Sequence, residues 1–432
     1  MNWLPEAAVL QGLTIIGAVC GALGCFAVLR KQSLMGDTLA HAALPGVCVA
    51  YLLTGDKDLP ILMAGAAVSG VLGTLLVLGI LRGSRLKQDV ALGIVLSTFF
   101  ALGLMLLTYL QNHQDGNQAG LNTFIYGQAA YFRGSQVAVT FWIGVVVLGL
   151  LALGYKEFKL LSFDPEYTAT LGFPRRLLEL LLALLLVLTV MISLRAVGVV
   201  LTVGLLVAPA AAARQWTSRL GLMILLAMAI GVGACLAGAV WSQNVSYTPP
   251  GPAIVLMASA VMLGSLLLAP DRGLLGNWLR LQRHRWKVRR ENLLSDFYRL
   301  GERSHDWQQT WTLEELAGVR GQPVKPLGRT LQGLEDAGLA VAINGRWRLT
   351  QQGLEEAARI VRTHRLWELY LARKLELASD HVHRDAEAME HALPPELVAE
   401  LEASLENADI DPQGKRIPRA TSARPLAGAQ GN

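Results

Sequence analysis

Residues 9–269 run through nine stretches of apolar sequence, near 9–29, 34–53, 61–81, 90–109, 137–155, 177–193, 197–213, 220–241 and 252–269. A helix needs roughly 20 apolar residues to cross the hydrocarbon core of a bilayer. The expectation is an all-helical polytopic membrane protein with about nine transmembrane helices. The number falls to eight if the break at Ser193-Leu194-Arg195-Ala196, between the sixth and seventh stretches, belongs to a re-entrant segment. The four cysteines, Cys20, Cys25, Cys48 and Cys235, lie inside these stretches without a CxxC pair, which suits small buried core residues. The N-terminus lacks a basic n-region, so the first apolar run reads as a retained span and not a cleaved signal.

Charge divides the chain. Residues 1–270 contain 14 Lys/Arg and 10 Asp/Glu, and residues 271–432 contain 24 and 23. The second part is soluble and helix-rich in character. The overall excess of +5 sits mostly at the seam, because residues 271–290 hold seven Lys/Arg and one Asp. A basic, Trp-containing stretch directly after a span suits the anionic cytosolic leaflet better than nucleic acid. Arg30-Lys31, Arg82/Arg85/Lys87, Lys156/Lys159/Arg175/Arg176 and Arg214/Arg219 fall in alternate loops. By the positive-inside rule those loops face the cytosol, which puts the N-terminus outside and the charged C-terminal part inside the cell (inner) membrane.

Polar side chains inside a span are costly unless paired or facing water. Asp37 and His41 stand four apart in Ser-Leu-Met-Gly-Asp-Thr-Leu-Ala-His-Ala-Ala-Leu-Pro-Gly, so a helix brings them to one face. One carboxylate and one imidazole suit a divalent first-row metal, and equally make a buried Asp–His hydrogen bond with a packing role only. Gly36, Pro45 and Gly46 favour a broken helix lining a cavity. Ser97, Thr98, Thr202 and Asn244 are further polar candidates for the same path, although hydroxyls in spans usually bond to their own backbone.

Residues 30–47, Arg-Lys-Gln-Ser-Leu-Met-Gly-Asp-Thr-Leu-Ala-His-Ala-Ala-Leu-Pro-Gly-Val, closely resemble the signature of the manganese/zinc/iron permeases of ABC transporters. Stretches 89–103, 160–172, 197–213 and 250–256 are similar to that family in the same order. The resemblance covers nearly all of 10–270 and implies that Asp37 and His41 help bind metal in the translocation path. It also implies that Phe163, Asp164, Pro165, Glu166 and the residues to Gly172 form a cytosolic segment that couples to an ATPase. Asp164-Pro165-Glu166 has the form of a helix start: a capping Asp, Pro in the first turn and a carboxylate at the positive end of the dipole. The chain has no GxxxxGK[ST] loop, so ATP is not bound here and hydrolysis is expected in a separate ATPase subunit. Further implied partners are an extracytoplasmic metal-binding protein and a second permease copy.

After a transmembrane permease domain at 1–270 and a basic juxtamembrane linker at 271–290, residues 291–363 read as a winged-helix domain. Thr312-Leu-Glu-Glu315 is a capping box. The helix from about Pro323 carries Leu327, Leu331 and Leu334 on one face and closes at Gly338. Asn344-Gly345 signals a two-residue hairpin that would form the wing over 339–349. Lys325, Arg329, Arg346 and Arg348 are the possible DNA contacts. Glu335, Asp336 and the absence of a large basic excess over 291–363 argue for a protein-contact module instead.

Residues 364–408 read as a helical metal-binding segment and 409–432 as a disordered tail rich in Pro, Gly, Arg and Ala. His364 and Glu368 are i, i+4, while His383, Glu387, Glu390 and His391 share one helical face. The region 288–405 resembles the diphtheria-toxin-repressor group of metalloregulators. That resemblance implies a principal metal site at Glu387, Glu390 and His391, and a second at His364, Glu368 and His383. Glu387 stands closer to the manganese-responsive branch, and its hard oxygen favours Mn or Fe over Zn. The family draws another ligand from its first helix, near Asn292 and Ser295 here, neither a good metal ligand; Glu291 and Asp296 are adjacent. Together the two resemblances imply an importer permease for a divalent transition metal, with a cytosolic domain that senses the metal. The alternative is a membrane-tethered, metal-responsive DNA-binding regulator.

Overall fold

The computed structural model describes residues 6–55, 59–113, 134–199, 201–320, 324–374, 395–405 and 409–418. The chain divides into two compact units, Met1–Asn277 and Trp278–Asn432.

The first unit is helical throughout its described residues. In order it contains α1 (Ala7–Leu29), α2 (Ser33–Thr54), α3 (Leu59–Gly83), α4 (Gln88–His113), α5 (Gly134–Leu153), α6 (Tyr155–Phe163), α7 (Pro165–Thr170), α8 (Arg175–Val197), α9 (Thr202–Trp216), α10 (Leu220–Asn244) and α11 (Pro250–Leu268). With no water in the bilayer core, each segment must satisfy its own backbone, and a helix does so.

Among the described residues eight of these helices are long and apolar enough to cross a membrane: α1, α2, α3, α4, α5, α8, α10 and α11. The preferred number was nine. The difference is the stretch 197–213, where the chain breaks after Val197 and resumes as the 15-residue α9. At 1.5 Å per residue α9 is about 22 Å long, short of the roughly 30 Å hydrocarbon core. Its apolar residues, Leu205, Leu206, Ala210 and Ala213 among them, are buried inside the protein, so hydropathy counted protein contact as if it were lipid contact.

Small residues set the helix seams, as expected where lipid gives helices no hydrophobic reason to associate. A Cβ on Gly17 would sit 2.6 Å from the Gly231 carbonyl oxygen, and one on Gly21 2.3 Å from that of Ala227, so α1 and α10 meet backbone to backbone. Gly46 and Gly65 do the same for α2 and α3, where a Cβ on Gly46 would lie 2.2 Å from the Gly65 oxygen. All four cysteines are free and buried.

The second unit begins within α12 (Leu274–Ser304), a single helix of 31 residues through what was expected to be a linker. Trp286 from the basic stretch packs beside Gly333, so residues 278–290 belong to the second unit's fold. The unit continues with α13 (Leu313–Arg320), α14 (Val324–Asp336), β1 (Ala340–Ile343), β2 (Arg346–Leu349), α15 (Gln351–Lys374) and α16 (Pro395–Ser404). The capping box forms: the Thr312 N–H donates to Glu315 Oε2 at 2.7 Å and the Glu315 N–H to Thr312 Oγ1 at 3.2 Å. β1 and β2 are antiparallel, with Ala340 opposite Leu349 and Ile343 opposite Arg346, across the turn at Asn344 (φ 51°) and Gly345 (φ 78°). Trp311 bridges to Trp347 on the open edge of β2. Leu327, Leu331 and Leu334 are buried against Leu293, Phe297 and Ile360, each contributing roughly 2 kcal/mol.

The tail departs from its expected disorder over 409–418. These residues fold back on α15 as a turn with an Ile410–Arg416 bridge, Asp411 and Ile417 being buried. Arg362 and Arg365 hold it by donating to the backbone oxygens of Pro418 and Arg416. Residues 419–432 lie outside the described residues.

Candidate functional sites

α2 positions the membrane pair. His41 Nδ1 lies 3.1 Å from Asp37 Oδ1 and 3.0 Å from the Asp37 backbone oxygen. An imidazole that donates from Nδ1 carries its lone pair on Nε2, the form that binds a metal ion. The Phe100 ring of α4 stands edge-on to the imidazole, centroids 4.7 Å apart, and restricts its rotation. His41 is 12% exposed and Asp37 31%, so the pair is reachable and not sealed in the core. Among the described residues no three His, Cys, Asp or Glu come together to hold a metal ion. Thr98 donates to the Ile94 oxygen, Thr202 to that of Gly198 and Asn244 to that of Val240, each within its own turn, and Ser97 is exposed.

The segment after α6 folds as its residues suggest. Asp164 Oδ1 accepts the Tyr167 N–H at 2.9 Å and caps α7, with Pro165 in its first turn. Glu166 is exposed there, and Gly172, at φ 84°, follows the helix. Phe163, Tyr167, Leu171 and Phe173 are all more than a third exposed, an apolar surface on a charged loop. Tyr167 and Leu171 lie inside the segment expected to couple to an ATPase, and Phe173 lies one residue beyond it. The signal in the sequence was four large apolar residues within eleven positions of a charged loop, more than a solvated connector needs.

In the soluble unit α15 places His364 and Glu368 on one face, Nε2 to Oε1 at 3.1 Å, with side chains 3% and 1% exposed. Gln413 of the tail donates to the same Oε1 at 3.4 Å. Between them Arg365, 3% exposed, forks onto Glu302 at 3.0 and 2.6 Å and faces Asp411 at 3.5 Å. His383, Glu387, Glu390 and His391 lie outside the described residues. On α12 Asn292 is half-buried, and Ser295 is buried with no hydrogen-bond partner for its hydroxyl among the described residues. Asp296 is buried as well. Two oxygen and nitrogen donors of suitable chemistry, His364 and Glu368, thus fit a metal, while Asn292 and Ser295 supply no anionic ligand.

Of the proposed DNA contacts, Arg346 lies 3.5 Å from Glu315 and Arg348 donates to Gln308 at 2.7 Å, so both are engaged within the wing region. Arg329 is exposed, and the Lys325 side chain lies outside the described residues. Among the described residues Arg329 and Arg346 are the exposed ones of these, Arg346 being paired with Glu315, a small electrostatic footprint for a duplex, and the DNA-binding alternative is not favoured.

Residues 4–269 match the sequence model of the ABC 3 transport family. Residues 350–419 match that of the iron dependent repressor, metal binding and dimerisation domain. The manganese transport system membrane protein MntC of Bacillus subtilis is 40% identical over 378 residues, which are 87% of this chain and 86% of that protein. The zinc transport system membrane protein TroC of Treponema pallidum is 42% identical over 288 residues, 67% of this chain and 94% of its own. Among solved structures, PsaBC from Streptococcus pneumoniae in complex with Fab aligns with a TM-score of 0.56 at 31% identity, covering 65% of this chain and 96% of that one.

Proposed function

The chain belongs to the ABC 3 transport family, and on that premise we propose that it is the membrane permease of an importer that carries manganese, with zinc as the nearest competitor. The observation that carries this reading is the Asp37–His41 pair, 3.1 Å apart on a membrane helix and partly exposed. The metal ion is the substrate. It meets the Nε2 lone pair of His41 and the carboxylate of Asp37, oxygen and nitrogen donors that suit Mn²⁺ and Zn²⁺ alike. Two protein ligands bind weakly enough for release, which a carrier needs and a storage site does not. Manganese is placed first because a 40% identical relative that spans both units carries it in its name.

Transport is driven from outside the chain. A separate ATPase subunit docks on Phe163 to Gly172, where the exposed Phe163, Tyr167 and Leu171 supply the apolar contact and Glu166 a charged one. An extracytoplasmic protein delivers the metal, and a second permease copy completes the path. The alternation of basic loops puts the N-terminus outside and the second unit in the cytosol. Eight spans alone would leave both ends on one side, so this orientation requires α9 to carry the chain across within the protein interior, where its shorter length is tolerated.

The second unit senses cytosolic metal and restrains import when the cell is replete. His364 and Glu368, with His383, Glu387, Glu390 and His391, are its ligands. The unit supplies the regulation and the pair on α2 the passage. Metal uptake by cells expressing the transporter tests both. Asp37→Ala should abolish uptake while the complex still assembles with its ATPase. Glu387→Ala with His391→Ala should leave uptake intact but insensitive to internal metal. Normal uptake in the first variant removes the transport site, and unchanged feedback in the second removes the sensor.

A further inference from the structure

The ends of α2, α3 and α8 border a cavity of about 980 Å³ whose cations the transport reading leaves without a role. Five cations line it, Arg30, Lys31, Arg82, Arg175 and Arg176, against a single carboxylate, Glu179. That carboxylate is already occupied: Arg175 Nε lies 3.0 Å from its Oε1 and Arg30 Nη2 3.5 Å from the same atom. Lys31, Arg82 and Arg176 have no ion-pair partner among the described residues. Burial pulls the Arg30 guanidinium below its ordinary value; Glu179 opposes this and the neighbouring Arg175 adds to it. A pocket with this balance is short of negative charge.

The remainder of the wall is hydrocarbon, from Leu29, Val77, Leu78, Leu81, Phe173 and Ala183. The cations also lie at one level of the helix bundle. Arg30 follows the last residue of α1, Arg82 is in the last turn of α3 and Arg175 is the first residue of α8. That is the level at which one leaflet presents its phosphates. A soluble anion would meet the charges and leave the apolar wall wet. A molecule with an anionic head and an acyl chain meets both.

We propose that this cavity binds one anionic phospholipid, its phosphate among Lys31, Arg82 and Arg176 and its acyl chains along Leu78 and Leu81. Pro165, Ala169 and Phe173 also line the cavity, so the lipid braces the segment through which the ATPase would act. Only the choice of leaflet rests on the orientation proposed above.

Native mass spectrometry of the delipidated full chain in detergent, titrated with phosphatidylglycerol, phosphatidylcholine and inorganic phosphate, tests the site directly. Phosphatidylglycerol should bind at one per chain and well ahead of phosphatidylcholine, and inorganic phosphate should not displace it. Near an anionic surface each basic residue contributes enough for about a five-fold change, so Arg82→Gln with Arg176→Gln should weaken binding on the order of 25-fold. Arg82→Lys with Arg176→Lys should retain it, which separates lost charge from a damaged fold. Equal retention of the two lipids, displacement by phosphate or full binding by the Gln pair overturns the proposal. So does loss of ATPase-subunit binding by the Gln pair in lipid-free detergent, because the cations would then serve a protein partner. Lipid retention is read without transport, so its failure leaves the permease reading standing and the reverse also holds.

Discussion

Two acid–histidine pairs in this molecule share a spacing and a distance. Asp37–His41 and His364–Glu368 are both i, i+4 and both 3.1 Å apart. The first stands on a membrane helix with a carboxylate 31% exposed and one aromatic ring alongside. The second is closed to 3% or less and is tied to the tail through Gln413, beside the Arg365–Asp411 pair. Helical spacing therefore brings two ligands together in both cases, and the surroundings decide their use. An open pair with few partners can exchange an ion. A closed pair tied to other segments holds the fold, and an ion bound there must act on those segments.

The comparison can be broken at several points, beginning with the largest effect. Asp37→Asn should remove metal uptake altogether, read as radiotracer accumulation, while Glu368→Gln should leave its maximal rate near that of the parent. Equal losses would mean that both pairs are structural. Next, Arg365→Ala removes the guanidinium from Asp411 and Glu302; because Glu302 is 32% exposed and Asp411 Oδ1 keeps the Gln413 and Lys415 N–H groups, the cost is at most about 3 kcal/mol. Hydrogen exchange should quicken in α15 and not in α1 or α10. Gly46→Ala drives a Cβ against the Gly65 oxygen, and overpacking of this kind costs about 1–3 kcal/mol. The melting temperature of the detergent-solubilised chain should fall, with the soluble unit's exchange unchanged. The smallest effect belongs to the capping box, where Thr312→Ala should cost about 1 kcal/mol. The Thr312 N–H holds the Glu315 carboxyl below the ordinary glutamate range. The contribution of Glu315 is thus present at neutral pH and lost as pH falls through that lowered value, which acid unfolding of the soluble unit would register.

Local chemistry was legible in the sequence. The capping box, the Asn344-Gly345 hairpin, the Asp164 cap and the Asp37–His41 pair each depend on residues within four positions of one another, and each forms. The shortened α9 was not legible, because an apolar residue buried against protein and one facing lipid have the same hydropathy. Nor was the ordered stretch 409–418. Its residues read as coil, and what orders them is Arg362 and Arg365, 56 and 51 positions upstream of their acceptors. Arg365 itself reads as an ordinary surface charge until α12, α15 and the tail are in place around it.

The folded-back tail also sets an order of events in synthesis. Domains form from the N-terminus as the chain is made, so every membrane helix is complete before the acceptors at Arg416 and Pro418 exist. The second unit closes only once residues 409–418 have been made. A product cut short before residue 409 would therefore carry an intact set of spans with an unlatched appendage. In a cell it would betray itself through proteolysis of that appendage, while the inserted helices persisted.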